Sequence, residues 1–245
     1  MKSVYNFLMW IRSVFFLLLF YGLTLCMFIL FSPTLLMPRR WAMSFPVSWS
    51  WLMPRLLHLI CGVKINVIGL ENLPQKNGYI VASKHQSALE TIVFHAIVPH
   101  TFYILKRELM WLPLAGIYFL KVGCIPIDRK GGTKTMRKML DGVKKRFKEG
   151  MNLVIFPEGT RTKPGTKEPY KPGIALLYEQ CKVPVVPVAL NTGYCWPKNQ
   201  TKKISGTITI SFLPPIAPGL ERRHFMTTLQ ERIETAQESL PNPFK

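Results

Sequence analysis

Short apolar runs alternate with helix-like segments along most of the chain, and this alternation constrains the fold more than any other feature. Seven runs of four to eight residues have the apolar, β-branched character of strands. They are 63–68, 78–82, 102–105, 122–127, 152–156, 183–190 and 207–212. Five longer segments are typical of helices: 88–98, 111–120, 133–149, 174–180 and 225–238. The pattern predicts an α/β fold, a layered mixed β-sheet flanked by helices.

One of these runs carries two prolines. Pro184 and Pro187 interrupt the apolar segment 183–190. Proline has no backbone N–H to donate to a neighbouring strand. We therefore expect this strand to lie at an edge of the sheet or to be interrupted.

The N-terminal region differs from the rest. Residues 14–31 contain no charged side chain, and as a helix they span roughly 27 Å, close to the thickness of a bilayer's hydrocarbon core. Residues 32–37 offer no small-x-small cleavage site, so we interpret the run as a retained anchor. Segment 48–61, with Trp51 and Arg55, is interpreted as an interfacial helix; the alternative is a core helix. These features divide the chain into a membrane anchor or interfacial helix pair, 1–61, and an α/β domain, 62–245.

The charge balance indicates an anionic partner. The chain has 32 Lys and Arg residues against 13 Asp and Glu, a net charge of +19. Nucleic acid, an anionic lipid surface and a phosphorylated substrate all fit such a charge. More of the positive charge lies C-terminal to the apolar helix than N-terminal to it, which predicts that the domain lies in the cytoplasm. Whether residues 14–31 cross the bilayer or re-enter it stays open. Five cysteines without a CxxC pair favour a reducing compartment.

A candidate acid–base pair lies between the second predicted strand and the next helix. His85 follows the strand, and Glu90 comes five residues later. The two side chains can meet only if His85 precedes the helix and Glu90 lies in its first turn. Such a pair could take a proton from a hydroxyl. The alternative is a capping box, in which Ser87 and Glu90 satisfy the free backbone N–H groups at the helix start.

Basic side chains follow three other predicted strands. Arg161 comes after a strand and a turn that contains Glu158 and Gly159; Arg129 and Lys106 follow two further strands. The carboxyl ends of strands in open α/β sheets are where ligands gather, and the guanidinium of Arg suits phosphate. The alternative is a strand–turn with a surface ion pair. GxSxG, GxGxxG and phosphate-loop motifs are missing from the sequence.

Four motifs resemble those of the glycerolipid acyltransferases in order and spacing. They are His85-x-x-x-x-Glu90, residues 123–129 (GCIPIDR), residues 156–161 (FPEGTR) and residues 183–188 (VPVVPV). The resemblance covers about residues 62–220, and the N-terminal helix pair is also similar. The first motif of that family usually reads Asn-His-x-x-x-x-Asp. Here Lys84 precedes His85 and Glu90 replaces Asp, so the role usually taken by the Asn is open.

The resemblance implies a function and a set of roles. The reaction would be acyl transfer from a thioester to the sn-2 hydroxyl of lysophosphatidate, giving phosphatidate. His85 would remove the hydroxyl proton, and Glu90 would orient its ring. Phosphate would bind to three basic side chains: Lys106, Arg129 and Arg161. Glycerol would be positioned by three residues of one turn: Glu158, Gly159 and Thr160.

The resemblance implies no metal and no cofactor, with acyl-CoA or acyl-carrier protein as co-substrate. The bilayer would be a partner and nucleic acid would not. The expected location is the inner (cytoplasmic) membrane, with the catalytic domain on its cytoplasmic face. Two alternatives stay open: a sibling acyltransferase acting on glycerol-3-phosphate or another lysophospholipid, and a non-catalytic, membrane-tethered binder of anionic lipid or nucleic acid.

Overall fold

A computed structural model describes residues 2–128 and 131–244. Within them the helices are α1 (Lys2–Leu30), α2 (Arg39–Ala42), α3 (Ser44–Cys61), α4 (Leu89–Ile97), α5 (Ala115–Lys121), α6 (Gly132–Lys148), α7 (Gly173–Cys181), α8 (Thr192–Cys195) and α9 (Arg222–Ser239). The strands are β1 (Val63–Ile68), β2 (Ile80–Ser83), β3 (Thr101–Lys106), β4 (Ile125–Ile127), β5 (Asn152–Ile155), β6 (Val185–Leu190) and β7 (Gly206–Phe212). All seven predicted strands and the five predicted helices of the domain are present, with ends shifted by a few residues.

The seven strands form one mixed sheet in the order β1-β7-β6-β2-β5-β3-β4. Every neighbouring pair is parallel except β6 and β7, which run antiparallel. The parallel strands β2, β5, β3 and β4 are adjacent, so their carboxyl ends share one edge of the sheet. This edge brings together the segments that follow these strands, as the sequence predicted.

The expectation for the proline-containing strand was wrong in part. β6 lies inside the sheet between β2 and β7, and all of its residues are buried. The ring nitrogen and the carbonyl of Pro187 both face β7, and the carbonyl accepts a hydrogen bond from the Leu213 amide. The β6–β7 ladder has a gap at that point, between the Val188–Phe212 pair and an isolated bridge at Val185. The missing donor of proline therefore costs no ladder hydrogen bond.

Helices cover both faces of the sheet. In β2, Val81 packs with α1, α3 and α4 on one face, while Ile80 and Ala82 pack with α6, α7 and α9 on the other. This alternation is the expected consequence of opposite side-chain directions in a strand. The two buried faces give the chain its layered α/β architecture, which confirms the predicted fold class.

The N-terminal helices form a hairpin along the domain. The Arg12 side chain donates to the Ile60 carbonyl, and the Trp49 indole donates to Thr24 Oγ1 at 2.9 Å, so α1 and α3 run antiparallel. By length and composition α1 could cross a membrane over Val4–Leu30, where 17% of the most apolar window is buried. The apolar cluster on this face of the sheet includes Phe16 of α1 and Leu57 of α3. The division at residues 61 and 62 therefore stays a prediction.

Both interpretations of the second N-terminal segment apply to different sides of α3. Ser50, Met53 and Leu57 are buried on the domain side, as in a core helix. Trp51 is half-exposed and carries the Arg55 guanidinium over its ring, 4.8 Å from the centroid, as expected of an interfacial helix.

Candidate active site

The predicted pair of His85 and Glu90 is formed. His85 lies in the segment between β2 and α4, and Glu90 lies in the first turn of α4. His85 Nδ1 is 2.9 Å from Glu90 Oε1. Because this contact occupies Nδ1, the Nε2 atom of the ring is the one available to a substrate. The Glu90 side chain is fully buried, whereas that of His85 is 16% exposed. A buried carboxylate behind a partly exposed imidazole is suited to general-base chemistry.

Glu90 also caps α4, so the two interpretations of its role are compatible. Its Oε1 accepts hydrogen bonds from the backbone amides of Gln86 and Ser87, each at 2.7 Å. Its Oε2 accepts one from Thr192 Oγ1 at 2.8 Å. Ser87 Oγ in turn accepts from the Leu89 amide, which completes the helix start. These donors hold the carboxylate in one orientation towards the His85 ring.

The segment after β5 fixes His85 from the other side. Phe156 stacks on the His85 ring with centroids 4.0 Å apart and planes 16° from parallel. Glu158 Oε2 accepts from the His85 backbone amide at 2.9 Å, and the Thr162 amide donates to the His85 carbonyl at 2.7 Å. The ring plane and both backbone polar groups of His85 are therefore held by residues 156–162.

A cavity of about 680 Å³ opens beside His85. Phe28, Phe45 and Trp49 of the N-terminal hairpin line it, together with Tyr118 of α5. His85 and Lys106 lie on its wall as well. The volume falls within the range of small-molecule sites, and a mostly apolar wall with a few polar groups suits an amphiphilic ligand.

The predicted basic residues differ in their positions. Lys106 ends β3, lines the cavity and is half-exposed, with its ammonium 3.1 Å from Glu108. Arg161 is half-buried and does not belong to the cavity wall; its carbonyl accepts from Lys198. Arg129 lies outside the described residues. The structure adds Lys171, an exposed residue before α7 that lines the cavity beside Gly159.

The turn predicted to bind glycerol is divided in the structure. Gly159 lines the cavity with φ +72°, a left-handed conformation that glycine adopts without strain. Thr160 is exposed outside the cavity wall. Glu158 is buried, and its two oxygens are engaged by the Lys84 ammonium and the His85 amide. In this structure the carboxylate lies behind the cavity wall and supports the loop that carries His85, and its predicted contact with glycerol stays a prediction.

Comparison with known proteins identifies the family of the chain. A model of the Acyltransferase family matches residues 64–191. The chain belongs to the acyltransferase family. It is 32% identical over 200 residues to the 1-acyl-sn-glycerol-3-phosphate acyltransferase of Pseudomonas aeruginosa, covering 81% of this chain and 77% of that protein. It is also 32% identical over 197 residues to human 1-acyl-sn-glycerol-3-phosphate acyltransferase alpha, covering 74% and 69%. The predicted resemblance is confirmed.

A solved structure shows the same fold. The crystal structure of the 1-acyl-sn-glycerophosphate (LPA) acyltransferase PlsC from Thermotoga maritima superposes with a TM-score of 0.76 at 20% identity, covering 98% of this chain and 99% of that one. The superposition therefore includes the N-terminal hairpin as well as the α/β domain.

Sequence reasoning missed three residues of this candidate site. Thr192 donates to Glu90 from 102 positions away, so local spacing gave no signal. Phe156 belongs to a recognised motif, but its stacking on His85 depends on how two loops meet. Lys171 directly precedes a helix-start proline in a strongly basic chain, and nothing in its spacing distinguishes it from other surface lysines.

Proposed function

We propose that the protein transfers a fatty acyl group from an acyl thioester to the sn-2 hydroxyl of lysophosphatidate, which yields phosphatidate. One observation carries the proposal. A histidine oriented by a buried carboxylate 2.9 Å away lies on the wall of a large apolar cavity. This arrangement combines a base for a hydroxyl with space for a hydrocarbon chain. The related proteins named above are acyltransferases for 1-acyl-sn-glycerol-3-phosphate.

His85 acts as the general base in the proposed reaction. Its Nε2 takes the proton of the sn-2 hydroxyl as that oxygen attacks the thioester carbonyl carbon. The tetrahedral intermediate then collapses, the carbon–sulfur bond breaks, and His85 returns the proton to the departing thiolate. Glu90 stabilises the imidazolium that exists between the two proton transfers. The transfer is direct, because the thioester is already an activated acyl donor.

The apolar cavity holds hydrocarbon. Its aromatic residues from the hairpin, Phe28, Phe45 and Trp49, place the acyl end of the site against α1 and α3. The outer side of α1 exposes further large apolar side chains, including Leu18 and Tyr21. We propose that this side contacts lipid, so that acyl chains pass between the bilayer and the cavity without crossing water.

The phosphate of lysophosphatidate binds at the basic end of the cavity. Lys106 and Lys171 both line the cavity, and Arg161 lies two residues after Gly159, which also lines it. A phosphate bound by two or more cations fits the net charge of +19 better than a neutral headgroup does. This preference separates lysophosphatidate from zwitterionic lysophospholipids.

The proposed location is the cytoplasmic face of the inner membrane. Two exposed apolar surfaces support it: the outer side of α1, and the region of α5, where Trp111 and Ile117 are exposed. Tyr118 of α5 donates a hydrogen bond to the Phe28 carbonyl of α1, so α5 contacts α1 and the two surfaces adjoin. Basic side chains around apolar patches suit an anionic leaflet.

Acyl transfer to a panel of acceptors tests the function. Purified protein in detergent is given a radiolabelled acyl-CoA with lysophosphatidate, glycerol-3-phosphate or lysophosphatidylcholine, and the same panel is repeated with acyl-carrier protein as donor carrier. We expect labelled phosphatidate from lysophosphatidate, with kcat/KM at least about tenfold above the other acceptors, the equivalent of about 1.4 kcal/mol. A higher value with glycerol-3-phosphate would assign the sibling activity. Failure with every acceptor and both donors would contradict the proposal.

A further inference from the structure

A buried lysine lies directly beside the proposed base, on the side away from the cavity. Lys84 precedes His85, and its side chain is 1% exposed. Its ammonium lies 2.6 Å from Glu158 Oε1 and 2.9 Å from Glu234 Oε1. Fully buried lysines are rare unless they are paired. Here both partners are carboxylates that are themselves buried, so the cluster is a built feature of the interior.

The cluster joins three parts of the chain. Lys84 directly follows β2, and its backbone amide donates a hydrogen bond to the Val188 carbonyl of β6 at 3.1 Å. Glu158 belongs to the turn after β5, and Glu234 to α9. Tyr170 donates to Glu234 Oε1 at 3.1 Å and thereby adds the segment before α7. These contacts make the cluster the electrostatic connection between the C-terminal helix and the loop that carries His85.

Glu158 transmits the effect of this cluster to His85. One of its oxygens is held by Lys84, and the other accepts from the His85 backbone amide at 2.9 Å. Burial raises the pKa of Glu158, and the Lys84 ammonium and the His85 amide both oppose that rise. Without the ammonium, two buried carboxylates would remain with reduced compensation. Glu158 would then move or take up a proton, and its hydrogen bond to the His85 amide would weaken.

We propose that Lys84 is a positioning residue for the acyl transfer: it holds Glu158 against the backbone amide of His85 and links that loop to α9 through Glu234. This inference rests on the proposed role of His85. It also gives a physical role to the lysine found where related motifs usually have asparagine. The ammonium of Lys84 and the carboxylate of Glu234 form one unit, and a change at either position alters how the His85 loop is held.

Three variants test the unit. Lys84→Met keeps the length of the side chain and removes its charge. We expect kcat to fall by about 10- to 100-fold, because small displacements of a catalytic group are costly, while KM for lysophosphatidate and for the acyl donor stays within about twofold. Glu234→Gln is expected to lower kcat by about threefold or more, since a charged partner becomes neutral. The double variant is expected to exceed Lys84→Met in kcat, because one of the two uncompensated carboxylates is gone.

Two control variants separate positioning from general stability. Lys167→Met breaks an exposed ion pair with Glu238, which joins the segment before α7 to α9, one turn further along that helix than Glu234. We expect a kcat within about twofold of the wild type. Leu229→Ala removes a fully buried side chain of α9 without changing any charge. It is expected to lower Tm at least as much as Lys84→Met while leaving kcat close to wild type at a temperature well below both transitions.

A spectroscopic measurement reports on His85 directly. With ¹⁵N-histidine as the labelled amino acid, the five histidines of the chain give five backbone amide signals in detergent. His85→Asn identifies the His85 signal by its loss. We expect Lys84→Met and Glu234→Gln to shift the His85 amide signal, because its hydrogen bond to Glu158 changes, and Lys167→Met to leave it in place.

The outcomes distinguish the two levels of inference. If His85→Ala abolishes transfer while Lys84→Met keeps kcat within about threefold and leaves the His85 signal unmoved, the role of Lys84 is overturned and the general base stands. A proportional loss of kcat in Leu229→Ala would also overturn it. If Lys84→Met does not fold, Glu234→Gln becomes the deciding variant. The proposal is refuted if the kcat and the position of the His85 amide signal in Glu234→Gln equal those in Lys167→Met. A wild-type protein without acyl transfer overturns both.

Discussion

The substitution Glu90→Gln separates the charge of this side chain from its shape. The amide oxygen of Gln can replace Oε1 as acceptor for His85 Nδ1 and for the amides of Gln86 and Ser87. Its NH₂ group can replace Oε2 beside Thr192, whose hydroxyl then acts as acceptor. The network therefore keeps its hydrogen bonds. What disappears is the negative charge opposite the imidazolium that forms when His85 takes the proton.

Two estimates bracket the effect of this change. Exchanging a charged for a neutral hydrogen-bond partner removes about 1.4 kcal/mol, or roughly tenfold in rate. Removing a full charge about 4 Å from the centre of the imidazolium removes about 4 kcal/mol at an effective dielectric constant of about 20, or roughly 10³-fold. We expect kcat to fall by about 10- to 10³-fold with KM for both substrates within about twofold, because Glu90 is fully buried behind His85 and does not line the cavity.

The assay is steady-state acyl transfer from labelled acyl-CoA to lysophosphatidate by folded, detergent-purified protein. Glu221→Gln is the matched control. Glu221 also caps a helix, and the hydrogen bonds that its carboxylate accepts from the described part of the chain come from the backbone amides of Arg223 and His224. We expect wild-type kcat from this variant. A Glu90→Gln enzyme with kcat within threefold of wild type would refute the pairing as a catalytic device and leave Glu90 as a cap.

Three further outcomes follow from the structure. Thr192→Val removes the donor to Glu90 Oε2 and is expected to lower the free energy of unfolding, measured by denaturant titration, by about 1–3 kcal/mol. The control is Thr209→Val, because the buried hydroxyl of Thr209 has no hydrogen-bond partner among the described residues. In the same titration this control is expected to be neutral or stabilising. Lys106→Met and Lys171→Met are each expected to raise KM for lysophosphatidate more than KM for the acyl donor; equal changes in steady-state kinetics would move the phosphate elsewhere. Burial lowers the pKa of Lys203 to about 8, so between pH 8 and about 10.4 this side chain binds more protons in the unfolded chain than in the folded one. The contribution of Lys203 to stability therefore rises over that window, and the Tm of the wild type relative to that of Lys203→Met is expected to increase from pH 8 to about 10.4.

The elements of the fold could be predicted because their signals are local. Apolar runs and cap residues depend on neighbours a few positions away, and the strands and helices of the domain appear where those signals lie. The order of strands in the sheet depends on contacts between distant segments. β6 shows the limit: its prolines argued for an edge, but the gap in the ladder that accommodates Pro187 is made by residues 213–215.

The candidate site divides in the same way. His85 and Glu90 are five residues apart, so spacing could bring them together, and the capping alternative was compatible because Glu90 does both. Glu158 lies in the motif of residues 156–161, which made it a candidate site residue, but the motif does not show whether its carboxylate faces the cavity or the interior. Its partner Lys84 lies 74 positions away and is itself paired with Glu234 of α9, so the inward direction of the Glu158 carboxylate depends on contacts between distant segments.

The most direct test of the central claim is the turnover of His85→Ala measured beside the wild type, with labelled acyl-CoA and lysophosphatidate. General-base catalysis contributes about 10²–10⁴-fold. We therefore expect phosphatidate from the wild type and a loss of kcat of that size or more in the variant, with the fold intact. Near-wild-type turnover by His85→Ala would contradict the assignment of His85 as the base.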